Sequence, residues 1–235
     1  MKTGFLIQAR VGSTRLPGKV LMKLRGKPLL SLIIDRIREV GNQFPVVIIT
    51  SNTKKDDAIA DFCKENSILM FRGSEEDVLD RYYHAAKQFG LDDVVRLTGD
   101  NPLVDSENLQ FLLDEHQTSD ADYSSNKSEV GSGLPIGAGA EIFRFSALSQ
   151  SWHEGKKPNH REHVNEYILE NPQLFRIQRV RSIRQYPEEC KDLRLTIDTW
   201  DDFHHVEKIF VLLEQHHLKI NLENICKVTK RGSLP

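Results

Sequence analysis

The residues near the amino terminus best equipped for chemistry are Arg10, Arg15 and Lys19, set in QARVGSTRLPGKVL (8–21) with Gly12, Ser13, Pro17 and Gly18. Three fixed cations beside glycines, which let backbone N–H groups turn inward, make a nest for a phosphate or carboxylate. The stretch follows the apolar run GFLIQA and so falls at the carboxyl end of an expected strand, where open parallel sheets bind ligands. A Walker A loop does not fit. Five residues rather than four separate Gly12 from Gly18, Pro17 interrupts, and Val20 stands where a Ser or Thr would meet magnesium. No GxGxxG fingerprint is present. A solvated basic loop is the plain alternative, but three cations around two glycines at a strand end favour the nest.

Two later stretches bring carboxylates to similar places. In RLTGDNPLVD (96–105) a strand ends at Thr98, Gly99 turns the chain, and Asp100 follows. A carboxylate there, beside a polyphosphate nest, suits Mg²⁺ held by one or two carboxylates plus phosphate oxygens. Taken alone, Asp100 reads equally well as a turn aspartate before Pro102, and Asp105 as a residue at the next helix start. RLTIDTWDDF (194–203) repeats the pattern, with Asp198 at the end of an expected strand as the second carboxylate. Thr199 or Asp201 would cap the helix that follows, while Asp201 and Asp202 serve its dipole. By itself Asp198 also reads as a cap. His204, His205, His216 and His217 lack a third ligand at defined spacing and read as surface residues. Tyr82, Tyr83 and Phe89 read as core, and Cys63 as a buried helix residue.

The elements that must position these groups alternate through the first half. Strands are expected at 5–9, 46–50, 68–71 and 93–98, the second a continuous Val/Ile run as parallel sheets require. Helices are expected at 28–40 with Pro28 in the first turn, at 55–66, at 75–89, and at 106–117 with Ser106 as cap. This β-α order implies a mostly parallel sheet covered on both faces. Beyond Asp120 the rhythm changes. Strands at 121–126, 140–145, 175–180 and 193–198, helices near 146–154, 160–170 and 199–216, and a glycine-rich loop or lid at 128–140 are expected.

A chain of 235 residues with 39% hydrophobic content can bury the core of one sizeable α/β domain. The formal net charge of −2 argues against wholesale nucleic-acid binding, so a cationic site must be local. It is local: residues 1–40 hold nine bases against two acids, and an anionic ligand there is the simplest reading. Cys63, Cys190 and Cys226 are odd in number and far apart, so neither a disulfide framework nor a zinc site is expected. No apolar run approaches membrane-spanning length, and MKTGFLIQAR is too short and too quickly charged for a signal peptide. A cytoplasmic protein with no membrane partner is expected.

In order along nearly the whole chain, IQARVGSTRLPGKVL, FRGSEEDVLDRYYHAA, VRLTGDNPLVD, REHVNEYI and LTIDTWDDF resemble the cytidylyltransferase family. That family includes the acylneuraminate and 3-deoxy-manno-octulosonate cytidylyltransferases, and the nearest branch is the spore coat polysaccharide biosynthesis protein F group. The resemblance implies one nucleotidyltransferase domain over 1–235, a three-layer Rossmann-like α/β fold with a mostly parallel sheet. It also implies a β-containing insertion at about 121–190, serving acceptor binding or dimerisation, together with CTP, Mg²⁺ and a homodimer.

Carried over position by position, the resemblance implies a nucleotide site of Gln8, Ala9, Arg10, Gly12, Ser13, Arg15, Lys19 and Thr98, with Arg10, Ser13 and Lys19 on the phosphates. Arg72, Gly73, Ser74 and Asp77 would meet base and ribose. Arg10, Arg15, Lys19 and Asp100 would be catalytic, Asp100 and Asp198 would hold the metal, and Glu141, Arg161, Glu162 and His163 would face the acceptor. Relatives of the spore-coat branch read DGLDVE where this chain reads IGAGAE (136–141), leaving Glu141 the one acid there. An ordinary amphipathic helix with a solvated face is the alternative for HREHVNEYI. The expected activity is transfer of CMP from CTP to an acidic sugar or related acceptor, releasing pyrophosphate, for surface-glycan synthesis. Another NTP, a phosphonate or polyol phosphate acceptor, and a non-catalytic nucleotide-binding protein stand as alternatives.

Overall fold

Adjacent residues of a strand point to opposite faces of its sheet, and the central strands here are apolar on both. Phe5 and Ile7 enter one core with Ile48, Val95 and Leu97, while Leu6 enters a second with Val47, Ile49 and Val94. The computed structural model describes residues 1–231. It runs β1 (Thr3–Gln8), a small hairpin of β2 (Lys23–Leu24) and β3 (Lys27–Pro28), α1 (Leu29–Val40), β4 (Val46–Ser51), α2 (Asp57–Glu65) and β5 (Leu69–Gly73). Next come α3 (Val78–Phe89), β6 (Asp93–Thr98), α4 (Ser106–Thr118), β7 (Tyr123–Ser125), β8 (Glu141–Arg144) and α5 (Phe145–Glu154). The remaining described elements are α6 (Pro158–Glu162), α7 (Glu166–Glu170), β9 (Ile177–Arg179), α8 (Glu188–Lys191), α9 (Trp200–Gln215) and α10 (Leu222–Arg231).

The seven-stranded sheet has the order β5-β4-β1-β6-β8-β7-β9. It is parallel from β5 through β6; β8 runs antiparallel to both its neighbours, and β9 lies parallel to β7. Helices α1, α2 and α4 cover one face through Ile33, Ile37, Ile59, Leu109 and Leu112. Helices α3 and α5 cover the other through Leu79, Tyr82 and Leu148. The chain leaves β1 for β4 and β5 on one side, then returns to place β6 on the other. That reversal opens a crevice at the carboxyl ends of β1 and β6, where ligands of such sheets sit.

A third core joins the two ends of the chain. Leu16, Leu24 and Leu29 pack with Leu195, Ile197, Phe203, Val206, Leu222 and Ile225. Burying these side chains holds α9 and α10 against the amino-terminal loop and delivers residue 198 to the crevice.

Several elements differ from the sequence reading. Residues 193–198 form no strand; a single bridge, Ile136 to Arg194, stands in their place. The cap of α4 is Asp105, whose carboxylate accepts the Asn108 N–H at 2.9 Å, and Ser106 is the first helical residue. The 160–170 segment splits into α6 and α7. Helices α8 and α10 and the β2–β3 hairpin were not expected. The cysteine reading is corrected as well: Cys190 and Cys226 form a disulfide, with Cα atoms 5.3 Å apart, while Cys63 is free and buried. Their separation in sequence hides a contact made only when α10 folds back on α8. Among the described residues, no helix is long and apolar enough to cross a membrane.

Candidate active site

The chain between Ala9 and Gly18 is held as a closed loop. Gly18 has φ +72, the left-handed conformation that glycine adopts without strain, and its N–H reaches the Val11 carbonyl at 2.9 Å. Ser13 Oγ accepts the Leu16 N–H at 3.3 Å, and buried Leu16 pins the loop into the third core. The far wall is tied by a residue that the sequence reading did not single out. Asp56, 2% exposed, accepts Val11 N at 2.7 Å through Oδ1, and Ser51 N at 3.1 Å and Ser51 Oγ at 2.5 Å through Oδ2. Burial works against its charge, yet these donors hold the carboxyl below its ordinary value. Arg10 is exposed on this loop and makes no ion pair among the described residues. Beside it the Gln8 amide oxygen is buried with no partner among the described residues.

Asp100 and Asp198 meet at one nitrogen. Lys19, 8% exposed, donates from Nζ to Asp100 Oδ2 at 3.0 Å, to Asp198 Oδ1 at 2.9 Å and to the Ile197 carbonyl at 2.7 Å. Arg15 Nη2 lies 3.1 Å from Asp198 Oδ1, and Arg194 Nη2 lies 2.5 Å from Asp198 Oδ2. Arg194 was not picked out from sequence, because i, i+4 side chains meet on a helix and this segment reads as a strand; the bend that follows the Ile136–Arg194 bridge brings it to Asp198. Asp100 is oriented by a relay in which Asn101 Nδ2 donates to Thr98 Oγ1 at 2.9 Å, and Thr98 Oγ1 to Asp100 Oδ1 at 2.6 Å. Asp202 completes a capping box with Thr199 at the start of α9 and accepts the Asp198 N–H at 2.9 Å. Asp202 thus sets the turn on which Asp198 sits.

The segment after β5 is a braced wall. Arg72 donates to the Ser51 carbonyl at 2.9 Å and the Thr53 carbonyl at 2.8 Å, and pairs with Asp57 at 2.8 Å. Fully buried Arg81 donates to the Ser74 carbonyl at 2.7 Å, and the backbone of Gly73 passes close over its side chain. Asp77 caps α3 through Oδ1 and receives Arg161 through Oδ2 at 2.6 Å. Both oxygens of Asp77 are therefore committed. Arg161 is committed too, since it also donates to the Trp152 carbonyl at 2.9 Å.

Past Asp100 and Asp198 the crevice continues as two adjoining cavities that share Arg96, Lys127, Glu129 and Glu141. One, of about 250 Å³, reaches Thr98, Asp100, Asn101, Gly137, Gly139, Arg194 and Asp198. The other, of about 450 Å³, reaches Tyr123, Ser125, His163, Asn165, Glu166 and Arg179. Glu141 is 1% exposed at their junction, and burial works against its charge. Arg96 and then Lys127 overcome that, holding its carboxyl below its ordinary value. A wider hollow of about 860 Å³ between α8, α9 and α10 shares Arg194 but lies away from the loop.

The structure therefore brings Gln8, Ala9, Arg10, Gly12, Ser13, Arg15, Lys19, Thr98, Asp100 and Asp198 to one crevice. Glu141 and His163 line its extension. Arg161 and Glu162 are not among the residues lining either cavity, and Arg161 instead bolts α6 to the start of α3. Arg72, Gly73, Ser74 and Asp77 form the flanking wall beyond β4 and β5. Asp56, Arg96, Lys127, Arg179 and Arg194 joined the picture only through the fold.

A family model described as cytidylyltransferase matches residues 5–225. The spore coat polysaccharide biosynthesis protein SpsF of Bacillus subtilis is 34% identical over 211 residues, which span 88% of this chain and 85% of that one. A solved cytidylyltransferase from Leptospira borgpetersenii superposes with a TM-score of 0.86 at 32% identity, over 99% of this chain and 95% of its own. A CMP:2-keto-3-deoxy-manno-octonic acid synthetase, solved with CTP, shares the fold with a TM-score of 0.67 at 18% identity, over 90% of this chain and 99% of that one.

Proposed function

The chain belongs to the cytidylyltransferase family, and from that premise we propose that it transfers CMP from CTP to an acidic sugar or a closely related acceptor, releasing pyrophosphate. The observation that carries this reading is the meeting of Asp100 and Asp198 on the Lys19 ammonium, at the switch point of the sheet and beside the loop of Arg10, Gly12 and Ser13.

The triphosphate lies along residues 9–18, where backbone N–H groups, Arg10 and Ser13 receive its oxygens. Arg15 and Lys19 neutralise the departing pyrophosphate. The wall built from Arg72, Gly73 and Ser74, held rigid by Arg81 and Asp57, borders the cytosine and ribose. Two carboxylates that already grip one cation between them are a suitable donor set for Mg²⁺, and Asp100 and Asp198 would hold it. When bound, that ion supplies charge for the phosphate oxygens and acidifies an acceptor hydroxyl.

The acceptor occupies the two adjoining cavities, so that its nucleophilic oxygen faces the α-phosphorus and attacks in line. Lys127 and Arg179 meet its acidic group, and Glu141, its charge already balanced by Arg96, accepts from a hydroxyl. Reaction by this route asks for positioning and charge neutralisation, and no covalent enzyme intermediate is involved. A homodimer built through the 121–190 segment belongs to the same reading, and light scattering checks it.

Pyrophosphate release measured with CTP, UTP, ATP and GTP across a panel of sugar acids, phosphonates and polyol phosphates tests the proposal. Turnover with CTP and a sugar acid is expected. Turnover confined to another nucleotide or to a non-sugar acceptor replaces the reading, and tight CTP binding without turnover on any acceptor points to a binding protein.

A further inference from the structure

We propose that Lys19 is a resident counter-ion that holds the metal site shut until a polyphosphate draws it away, so that metal binding is conditional on nucleotide. The inference deepens the nucleotidyl-transfer reading above and takes from it the assignment of Asp100 and Asp198 as metal ligands.

The geometry is that of an occupied cation site. An ammonium has three hydrogens, and all three are used, on Asp100, Asp198 and the Ile197 carbonyl at 2.7 to 3.0 Å. Only 8% of Lys19 is exposed, so water does little to weaken those contacts. The surroundings add to the effect. Asp198 also faces Arg15 at 3.1 Å and Arg194 at 2.5 Å, and Arg194 in turn pairs with Asp202 at 3.0 Å, so three cations already balance the three carboxylates of the cluster. A divalent ion entering that cluster alone must either displace Lys19 or add its charge to carboxylates whose charge is already balanced. Neither is favourable in a partly desolvated crevice.

A triphosphate reverses the balance. Lys19 follows Gly18 directly and opens the short 3₁₀ turn Lys19–Leu21, so its backbone belongs to the phosphate loop while its four-carbon stem reaches the aspartates. Arg15 lies on the same loop. Phosphate oxygens lying along residues 9–18 compete for both side chains, and each one withdrawn from Asp198 leaves a carboxylate lone pair for a metal. Metal and nucleotide affinities are then coupled, and the coupling is reciprocal.

The test is Mn²⁺ binding, followed by the electron paramagnetic resonance of free Mn²⁺, to nucleotide-free wild-type protein and to Lys19→Gln. The variant is expected to bind Mn²⁺ about tenfold or more tightly than wild type, because losing the resident charge outweighs any loss of packing. Adding Asp198→Asn to Lys19→Gln should abolish the gain and so tie it to this pair. CTP, after correction for Mn²⁺ bound by free CTP, should tighten Mn²⁺ binding in wild type and do far less in Lys19→Gln.

A second readout guards against a poorly folded variant. With two carboxylates left facing each other, Lys19→Gln should melt earlier than wild type, and Mg²⁺ alone should raise its Tm while leaving nucleotide-free wild type nearly unmoved. Equal Mn²⁺ affinity in wild type and Lys19→Gln overturns the proposal, as does a wild-type Tm that Mg²⁺ raises equally. If Lys19→Gln gains Mn²⁺ affinity and CTP binds to neither protein, the counter-ion role stands and the CTP reading falls.

Discussion

Arg96 on β6 stands directly opposite Glu141 on β8 in the antiparallel register, and its Nη1 donates to Glu141 Oε2. The pair is enclosed. Tyr123 donates its hydroxyl to Glu141 Oε1, and the Arg96 guanidinium lies 5.8 Å from the centre of the Tyr82 ring. An ion pair sealed in this way stabilises little beyond a hydrophobic pair of equal volume, but losing one partner strands the other.

Glu141→Gln should therefore cost about 3 kcal/mol of stability near neutral pH by leaving Arg96 without its counter-charge. The sign of the pH effect follows from the carboxyl being held below its ordinary value by Arg96 and Lys127. A depressed carboxyl contributes stability that is present above its unfolded pKa of about 4.3 and is lost as pH falls through the folded value. Urea midpoints of wild type should drop below about pH 4.3, and those of Glu141→Gln should drop less steeply there. Parallel slopes would remove Glu141 from the acid transition.

Asp56 serves the phosphate loop at one remove, since it grips Val11 N and both donors of Ser51. An Asn there carries one acceptor oxygen where the carboxylate offers two. Asp56→Asn is expected to raise the KM for CTP about tenfold, matching the loss of one or two charge-assisted bonds, with a smaller change in kcat. Steady-state kinetics with varied CTP separate the two constants. A fall in kcat alone would mean that Asp56 does not hold the loop for the nucleotide.

Asp100→Asn should lose turnover by a factor of about 100 or more, in line with removing one preorganised charge from the reacting phosphates. Asp198→Asn should behave alike. Arg194→Ala, which leaves Asp198 held by Lys19 and Arg15, should lose less than either. Rates of pyrophosphate release order the three variants, and wild-type turnover in Asp100→Asn would take that residue out of the site.

Gly137 has φ +93, and a Cβ built on it would lie 2.7 Å from Thr196 N and 2.8 Å from Leu195 C. Gly137→Ala must push apart the Ile136–Arg194 bridge that carries the chain toward Asp198. A loss of about 1–3 kcal/mol in thermal or urea unfolding is expected, with turnover falling further than stability alone explains. Unchanged unfolding would show that the 131–139 loop and residues 194–196 move independently.

Periodicity carried the parallel half of the fold. The Val/Ile runs of β4 and β6 and the amphipathic pattern of α1 appear within a residue or two of their expected bounds, because a strand buried on both faces or a helix with one apolar stripe writes itself into local sequence. Residues 193–198 failed for the opposite reason. LRLTID alternates as a strand does, but here the alternation serves packing of Leu195 and Ile197 against α9, and only one bridge forms. Helix α10 was missed although Leu222, Ile225 and Cys226 stand at helical spacing and bury in the third core.

From the sequence alone came the residue types and the loop in which they recur: three cations among glycines after a strand, and two aspartates each following a strand-like run. These depend on covalent order and local propensity. Tertiary structure alone decided which groups touch. It set Lys19 between Asp100 and Asp198, spent Asp77 on Arg161, put Asp56 behind the loop and Arg96 against Glu141, and closed Cys190 on Cys226. Contacts between residues as much as 189 positions apart are chosen by how three buried cores pack, and packing depends on the whole chain at once rather than on any stretch of it.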